Sequence, residues 1–224
     1  AATNASERAY GMLVGSQELV QGLSGDLYND LARVPGTLPA RMKLVQRLEE
    51  GANNLRAHAG DDERLLRMMG LLHLHVSMLN FSYGSDHLGR PKEALAALAR
   101  ARESLEALAA RDDVDAERHF FDRMHLAVVL GDEADIHSQQ GQLDLAVRRT
   151  QTSVKMLAEL SKERPDDVSV RNNLSSCLTR LARLARTVED RAAALKHVQA
   201  AVEVLPEDEP ADPEDASIAY GNRG

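Results

Sequence analysis

The stretch EDRAAALKHVQAAVEVLPED, Glu189 to Asp208, decides how this chain is read. Within it Ala194, Val198 and Ala201 fall at steps of four and three, the spacing that lines residues along one face of an α-helix. Pro206 then closes the segment, as a residue that cannot continue a helix. The same spacing recurs upstream in Ala94, Leu98 and Ala101, and again in Ala146, Thr150 and Ser153. Each set begins five residues after a turn position: Gly89, Gly141 and Glu189. The sets lie 52 residues (94 to 146) and 48 residues (146 to 194) apart. A pattern returning at a nearly fixed interval is the signature of a repeat.

Small side chains at these positions have a physical role. Where two helices cross, Ala allows their axes to approach to the close end of the usual ~8–10 Å, and a large residue forces them apart. The preceding segments carry the complementary positions. These are Leu178, Leu181, Ala182 and Ala185 in the last unit, Leu130, Ala134 and His137 in the middle one, and Met78, Phe81, Ser82 and Ser85 in the first.

Helical periodicity continues over most of the chain. A glycine-interrupted helix is expected over about 6–34, broken by VPGTLPAR, and a second helix from Pro39 to about Ala59. Further helices are expected from GDDER to His87, Pro91 to Arg111, Asp115 to Gln140, Gln142 to Glu163, Val168 to Thr187 and Asp190 to Leu205. No segment reads as a strand. The expected organisation is an N-terminal helical pair over 1–60, an array of about three elongated repeats over 61–206, and an acidic segment over 207–224. That last segment, beginning EDEPADPED, reads equally as an acidic linker and as the start of a further helix.

The bulk composition agrees with an all-α chain and excludes several functions. Of 224 residues 43% are hydrophobic and only 3% aromatic, with no Trp. A net charge of −8 gives no basic footprint for nucleic acid. The single Cys177 excludes an internal disulfide framework. No run approaches the ~20 apolar residues of a membrane span.

The last unit, Leu178-x2-Leu181-Ala182-x2-Ala185 followed by Ala194-x3-Val198-x2-Ala201-x4-Pro206, resembles a tetratricopeptide repeat (TPR). The family pattern runs W-x2-L-G-x2-Y, then A-x3-F, then P, over ~34 residues. Here Leu, Met and Val replace the large aromatics, and the extra length prolongs the second helix, as in RESLEALAARDD and VKMLAELSKERPDD. Glu133 and Thr150 make the middle unit the weakest match. The resemblance implies a right-handed α-solenoid of antiparallel helix pairs. Upstream, LARVPGTLPARMKLVQRLEEGANNLRAHAGDD looks like the segment that introduces TPR-like arrays in multidomain bacterial signalling proteins such as receptor-type serine/threonine kinases. It implies a place on the cytoplasmic or periplasmic face of a bacterial cell, within a larger protein. No kinase motif is present.

No phosphate loop, G-x-S-x-G, H-E-x-x-H or cysteine pair occurs. His119, Asp122 and His125 share a helical stripe, as do Glu133 and His137, but solvated or hydrogen-bonded histidines are the simpler reading. The sequence therefore predicts no catalytic residue, metal or cofactor. In TPR-like arrays the first helix of each pair lines a concave groove. That resemblance places Thr179, Arg183 and Arg186 of the last unit in the groove, with Asp135 and Ser138 of the middle unit and Leu79, Tyr83 and Asp86 of the first. Arg183 and Arg186 share a face and can hold one anionic ligand. The expected function is a non-enzymatic scaffold binding a protein or peptide, in particular an acidic or C-terminal segment. The rival class is an oligomerisation or small-ligand sensor module, in which the first helix drives self-association into a homo-oligomer.

Overall fold

The computed structural model describes residues 30–205, apart from residues 32, 82–86, 112 and 114 and the side chains of residues 56–59. The segment from 207 and nearly all of the helix expected over 6–34 lie outside the described residues. Among the described residues the regular elements are α-helices and no strand occurs. They are α1 (Leu38–Ala59), α2 (Glu63–Asn80), α3 (Pro91–Ala109), α4 (Ala116–Gln139), α5 (Leu143–Glu163), α6 (Val168–Thr187) and α7 (Arg191–Glu203). Aspartates start four of them. Asp62, Asp115, Asp167 and Asp190 each accept a hydrogen bond from backbone N–H groups of the turn they begin.

The chain divides into two compact units, Ala1–Ser104 and Leu105–Gly224, with the boundary inside α3. In the first unit, Val45, Leu48 and Ala52 of α1 pack with Leu72, Val76 and Leu79 of α2 and Ala97 of α3. Two expectations are corrected here. Helix α2 does not reach His87. It ends at Asn80, and Phe81 is extended at φ −162° and ψ 124°. The residues from Asn80 to Asp86 are all weak helix formers in an unbroken row, which gives the physical reason. The chain then returns to the end of α2, where Leu88 N–H donates to Leu79 O (3.0 Å) and Arg90 N–H to Asn80 O (2.9 Å). Leu79 is in the core at 6% exposure, so it faces no groove.

In the second unit the contacts follow chain order: α4 with α5, α5 with α6 and α6 with α7, while α4 also touches α6. Arg123 near the start of α4 forms a two-fold bond with Glu163 at the end of α5 (2.8 and 3.0 Å). Midway, the Ser153 hydroxyl donates to Ala127 O (2.7 Å), and at the turn His137 Nδ1 meets Gln142 Oε1 (2.7 Å). The core collects Phe120, Met124 and Ala127 of α4, Leu157 and Leu160 of α5, Val170, Leu174, Cys177 and Leu178 of α6, and Ala201 of α7. The polar residues that weakened the middle unit are accommodated. Buried Glu133 meets Arg149 at 2.9 Å, and buried Thr150 donates to Ala146 O at 2.9 Å.

The turn positions repeat in geometry as well as in sequence. Gly89, Gly141 and Glu189 have φ of 70°, 74° and 62°. After α4, Gly141 N–H donates to Ser138 O and Gln142 N–H to His137 O. After α6, Glu189 N–H donates to Arg186 O and Asp190 N–H to Ala185 O, the same pair of bonds one repeat later. This is the left-handed helix stop that favours glycine. Glu189 holds it with a side chain attached, at a cost of ~1–2 kcal/mol. Glu189→Gly, which relieves that strain but loosens the unfolded chain, is expected to raise stability by ~0.5–1 kcal/mol in urea denaturation, and an unchanged midpoint would contradict the left-handed turn.

The small-residue face is buried as its spacing requires. Ala94, Leu98, Ala101, Ala146, Thr150 and Ser153 are all fully buried, and Ala194 and Ala201 nearly so. Val198 differs, at 47% exposure.

Candidate functional site

The residues expected in the groove separate on inspection. Tyr83 and Asp86 lie outside the described residues. Ser138 and Thr179 are half-buried and Arg186 is exposed. Asp135 and Arg183 are brought together, but onto each other: an Arg183 Nη2–H donates to Asp135 Oδ1. The second Asp135 oxygen accepts from Arg180 Nη2 at 2.6 Å, and Asp132 lies 3.7 Å from the same nitrogen. Two guanidinium groups of α6 thus close on two carboxylates of α4. Asp135 is a structural counter-ion here, and its expected place among free groove residues is corrected.

One glycine makes room for the Arg180 guanidinium in this position. A Cβ at Gly131 would stand 2.6 Å from Arg180 Nη1 and 3.4 Å from Cys177 Sγ. Glycine costs up to ~1 kcal/mol inside a helix, and at this position the cost admits the Arg180 side chain across the face of α4.

The electrostatics follow from burial. Asp132 is pushed up to about 7 from 3.8, first by removal from water, partly offset by Arg180 and reinforced by the like charge of Asp135. Burial disfavours the Arg180 charge, but the carboxylates of Asp135 and Asp132 outweigh it and hold the guanidinium protonated. The Cys177 thiol is raised above its ordinary 9.0 by burial, against the pull of Arg180 and its Ser153 hydrogen bond. It is a thiol at neutral pH, and the thiolate, not the thiol, is the nucleophile.

The histidine stripes are used in other ways. His119 Nε2 meets Ala109 O at 3.0 Å and His125 Nδ1 meets Phe121 O at 2.7 Å. Glu133 is engaged by Arg149. Among the described residues no group of three His, Cys, Asp or Glu side chains is arranged to hold a metal ion, and no helix is long and apolar enough to cross a membrane. A depression of about 400 Å³ at the start of α5 is lined only by residues of Gly141–Leu145 and Arg148. It is the surface of a single turn and gathers no constellation from separate elements.

Sequence reasoning takes Arg180 only as the first residue of a basic stripe with Arg183 and Arg186, and misses Asp132 and the function of Gly131. A signal for the pairing of Arg180 with Asp132 was present. Asp132 and Arg180 are 48 residues apart, as are Asp135 and Arg183, so successive units carry opposite charges at the same register (180 − 132 and 183 − 135).

No family model, no curated protein and no solved structure matches this chain.

Proposed function

We propose that the chain is a non-enzymatic helical-repeat scaffold that binds a protein or peptide on the face of its first-position helices, as the interaction or sensory region of a larger bacterial signalling protein. The architecture in this reading is a TPR-like, right-handed α-solenoid of antiparallel helix pairs. The observation that carries it is the duplicated unit around α4–α5 and α6–α7. The two units share the left-handed turn, its pair of backbone bonds and the burial of equivalent alanines, and their first helices, α4 and α6, touch. The match of residue 123 with 163, 127 with 153 and 137 with 142 supports an antiparallel pair. Stacked repeats of this kind present a preformed surface, so little ordering entropy is lost on the receptor side when a ligand binds.

The Arg183–Asp135 pairing moves the ligand anchor. An incoming carboxylate gains little from Arg183 while Asp135 holds it, and displacing Asp135 would leave that buried carboxylate to Arg180 alone. Arg186, one turn on and exposed, takes over as the anchor for an acidic or C-terminal segment, with half-buried Thr179 and Ser138 as further candidate contacts. The test is a titration of the full chain with an acidic peptide, carrying either a free or an amidated C-terminus. Arg186→Glu is expected to weaken binding by about tenfold or more, the size of one charge-assisted hydrogen bond, and added salt to weaken it further. Absence of binding, or binding indifferent to Arg186→Glu, overturns the reading.

A further inference from the structure

Helix α7 carries an apolar stripe on its outer face. Leu195 is 69% exposed, Val198 47% and Val202 65%, at steps of three and four along the helix. Their equivalents one repeat earlier, 48 residues back, are Val147, Thr150 and Val154 of α5. Those are covered: Thr150 is fully buried, and Val147 and Val154 are partly buried against the cores that contain Leu184 and Leu174 of α6. The stripe on α5 is therefore the seat of α6, and the same stripe on α7 is bare.

The sequence supplies a candidate occupant at the same interval. Helix α6 opens with Pro165-Asp166-Asp167-Val168-Ser169-Val170, where the Asp167 carboxylate caps the helix by accepting from Val170 N–H at 3.0 Å. Forty-eight residues on, the chain reads Pro213-Glu214-Asp215-Ala216-Ser217-Ile218. The proline, the acid beside it, the capping aspartate, the serine and the β-branched residue all recur in place.

We propose that the Leu195–Val198–Val202 face of α7 is a docking surface for a further helix, and that its occupant is the chain's own segment beginning at Pro213. The proposal rests on the repeat register of the array read above. Residues 206–224 lie outside the described residues. The bare stripe and the repeated opening sequence are independent observations that require the same partner. A contiguous apolar stripe on a soluble helix marks an interaction site, and a short tether gives the chain's own segment an effective concentration of about millimolar, ahead of any free competitor.

The experiment uses the full chain bearing Val198→Cys, with and without Ile218→Asp, and follows alkylation by peptide-resolved mass spectrometry, which separates the new thiol from Cys177. Lys196→Cys, on the exposed side of α7, sets the unprotected rate. The expected result is Val198→Cys reacting about tenfold slower than Lys196→Cys, with Ile218→Asp restoring the fast rate. Equal rates at both positions overturn the proposal. Protection that ignores Ile218→Asp and fades on dilution overturns it too, by assigning the face to a second copy of the chain. Neither outcome bears on peptide binding at Arg186, so the two readings fail separately.

Discussion

Arg180→Ala is expected to lower folding stability by about 3–5 kcal/mol, the cost of removing one partner from a buried ion pair. The Arg180 side chain is only 14% exposed and is bonded to Asp135, whose side chain is 9% exposed. Alanine there leaves Asp135 to Arg183 alone and takes away the guanidinium 3.7 Å from Asp132. It also opens the space that Gly131 keeps clear. Arg183 still covers one side of Asp135, so the loss falls toward the lower end of that range. Urea denaturation of the full chain measures it. A second variant separates charge from volume: Arg180→Met with Asp135→Leu keeps the space filled and removes both charges, and is expected to recover most of the loss. A loss below ~1 kcal/mol for Arg180→Ala would show that water reaches the cluster and that it counts for no more than a surface pair.

The charge cluster also shows what a sequence gives away and what it hides. Arg180, Arg183 and Arg186 form a basic stripe in an acidic chain, and the stripe reads as a ligand site when one helix is considered alone. Two helices 48 residues apart must be laid over each other before Asp132 and Asp135 appear opposite Arg180 and Arg183. Periodicity within a helix reports which residues share a face; it does not report which face meets it. That second fact depends on how α4 meets α6, and Gly131, which leaves space for the Arg180 guanidinium, is a local sign of that meeting, easily passed over as a weak helix residue.

Helix boundaries were legible where local chemistry marks them. Val168–Thr187 follows from Asp167 as cap, and Gly60 and Gly141, both at positive φ, stop α1 and α4. The one large miss is α2, expected to run to His87 and ending at Asn80. There the repeat alignment placed Met78, Phe81, Ser82 and Ser85 on the pattern of Leu178, Leu181, Ala182 and Ala185, and it overrode the propensity of Asn80 to Asp86. The structure sides with propensity: Met78 is 43% exposed where Leu178 is 8%. Most helical stability comes from packing an apolar face, and at the end of α2 Met78 does not supply one. Where the packing residues are real, as at Ala146 and Ala194, register won; where they were only similar in spacing, it did not.

Ala146→Phe tests that register directly, with an expected loss of about 1–3 kcal/mol or somewhat more. Ala146 is fully buried and meets Ala134 of α4 and Leu184 of α6, so three helices converge on its methyl group. Interiors at this density have no room for a phenyl ring. To admit one, α4 or α6 must move away from α5, and Asp135, one residue beyond Ala134, would be drawn from its arginines. The overpacking penalty and part of the ion-pair penalty then arise together. Lys155→Phe, exposed on the same helix, is the control and is expected to change stability by less than ~0.5 kcal/mol. A double variant, Ala146→Phe with Arg180→Ala, is expected to lose less than the two single losses combined, since both act through the α4–α6 contact and neighbouring sites are not additive. Full additivity would mean that α5 absorbs the ring without disturbing α4 and α6, and that the small residue at 146 does not set their separation.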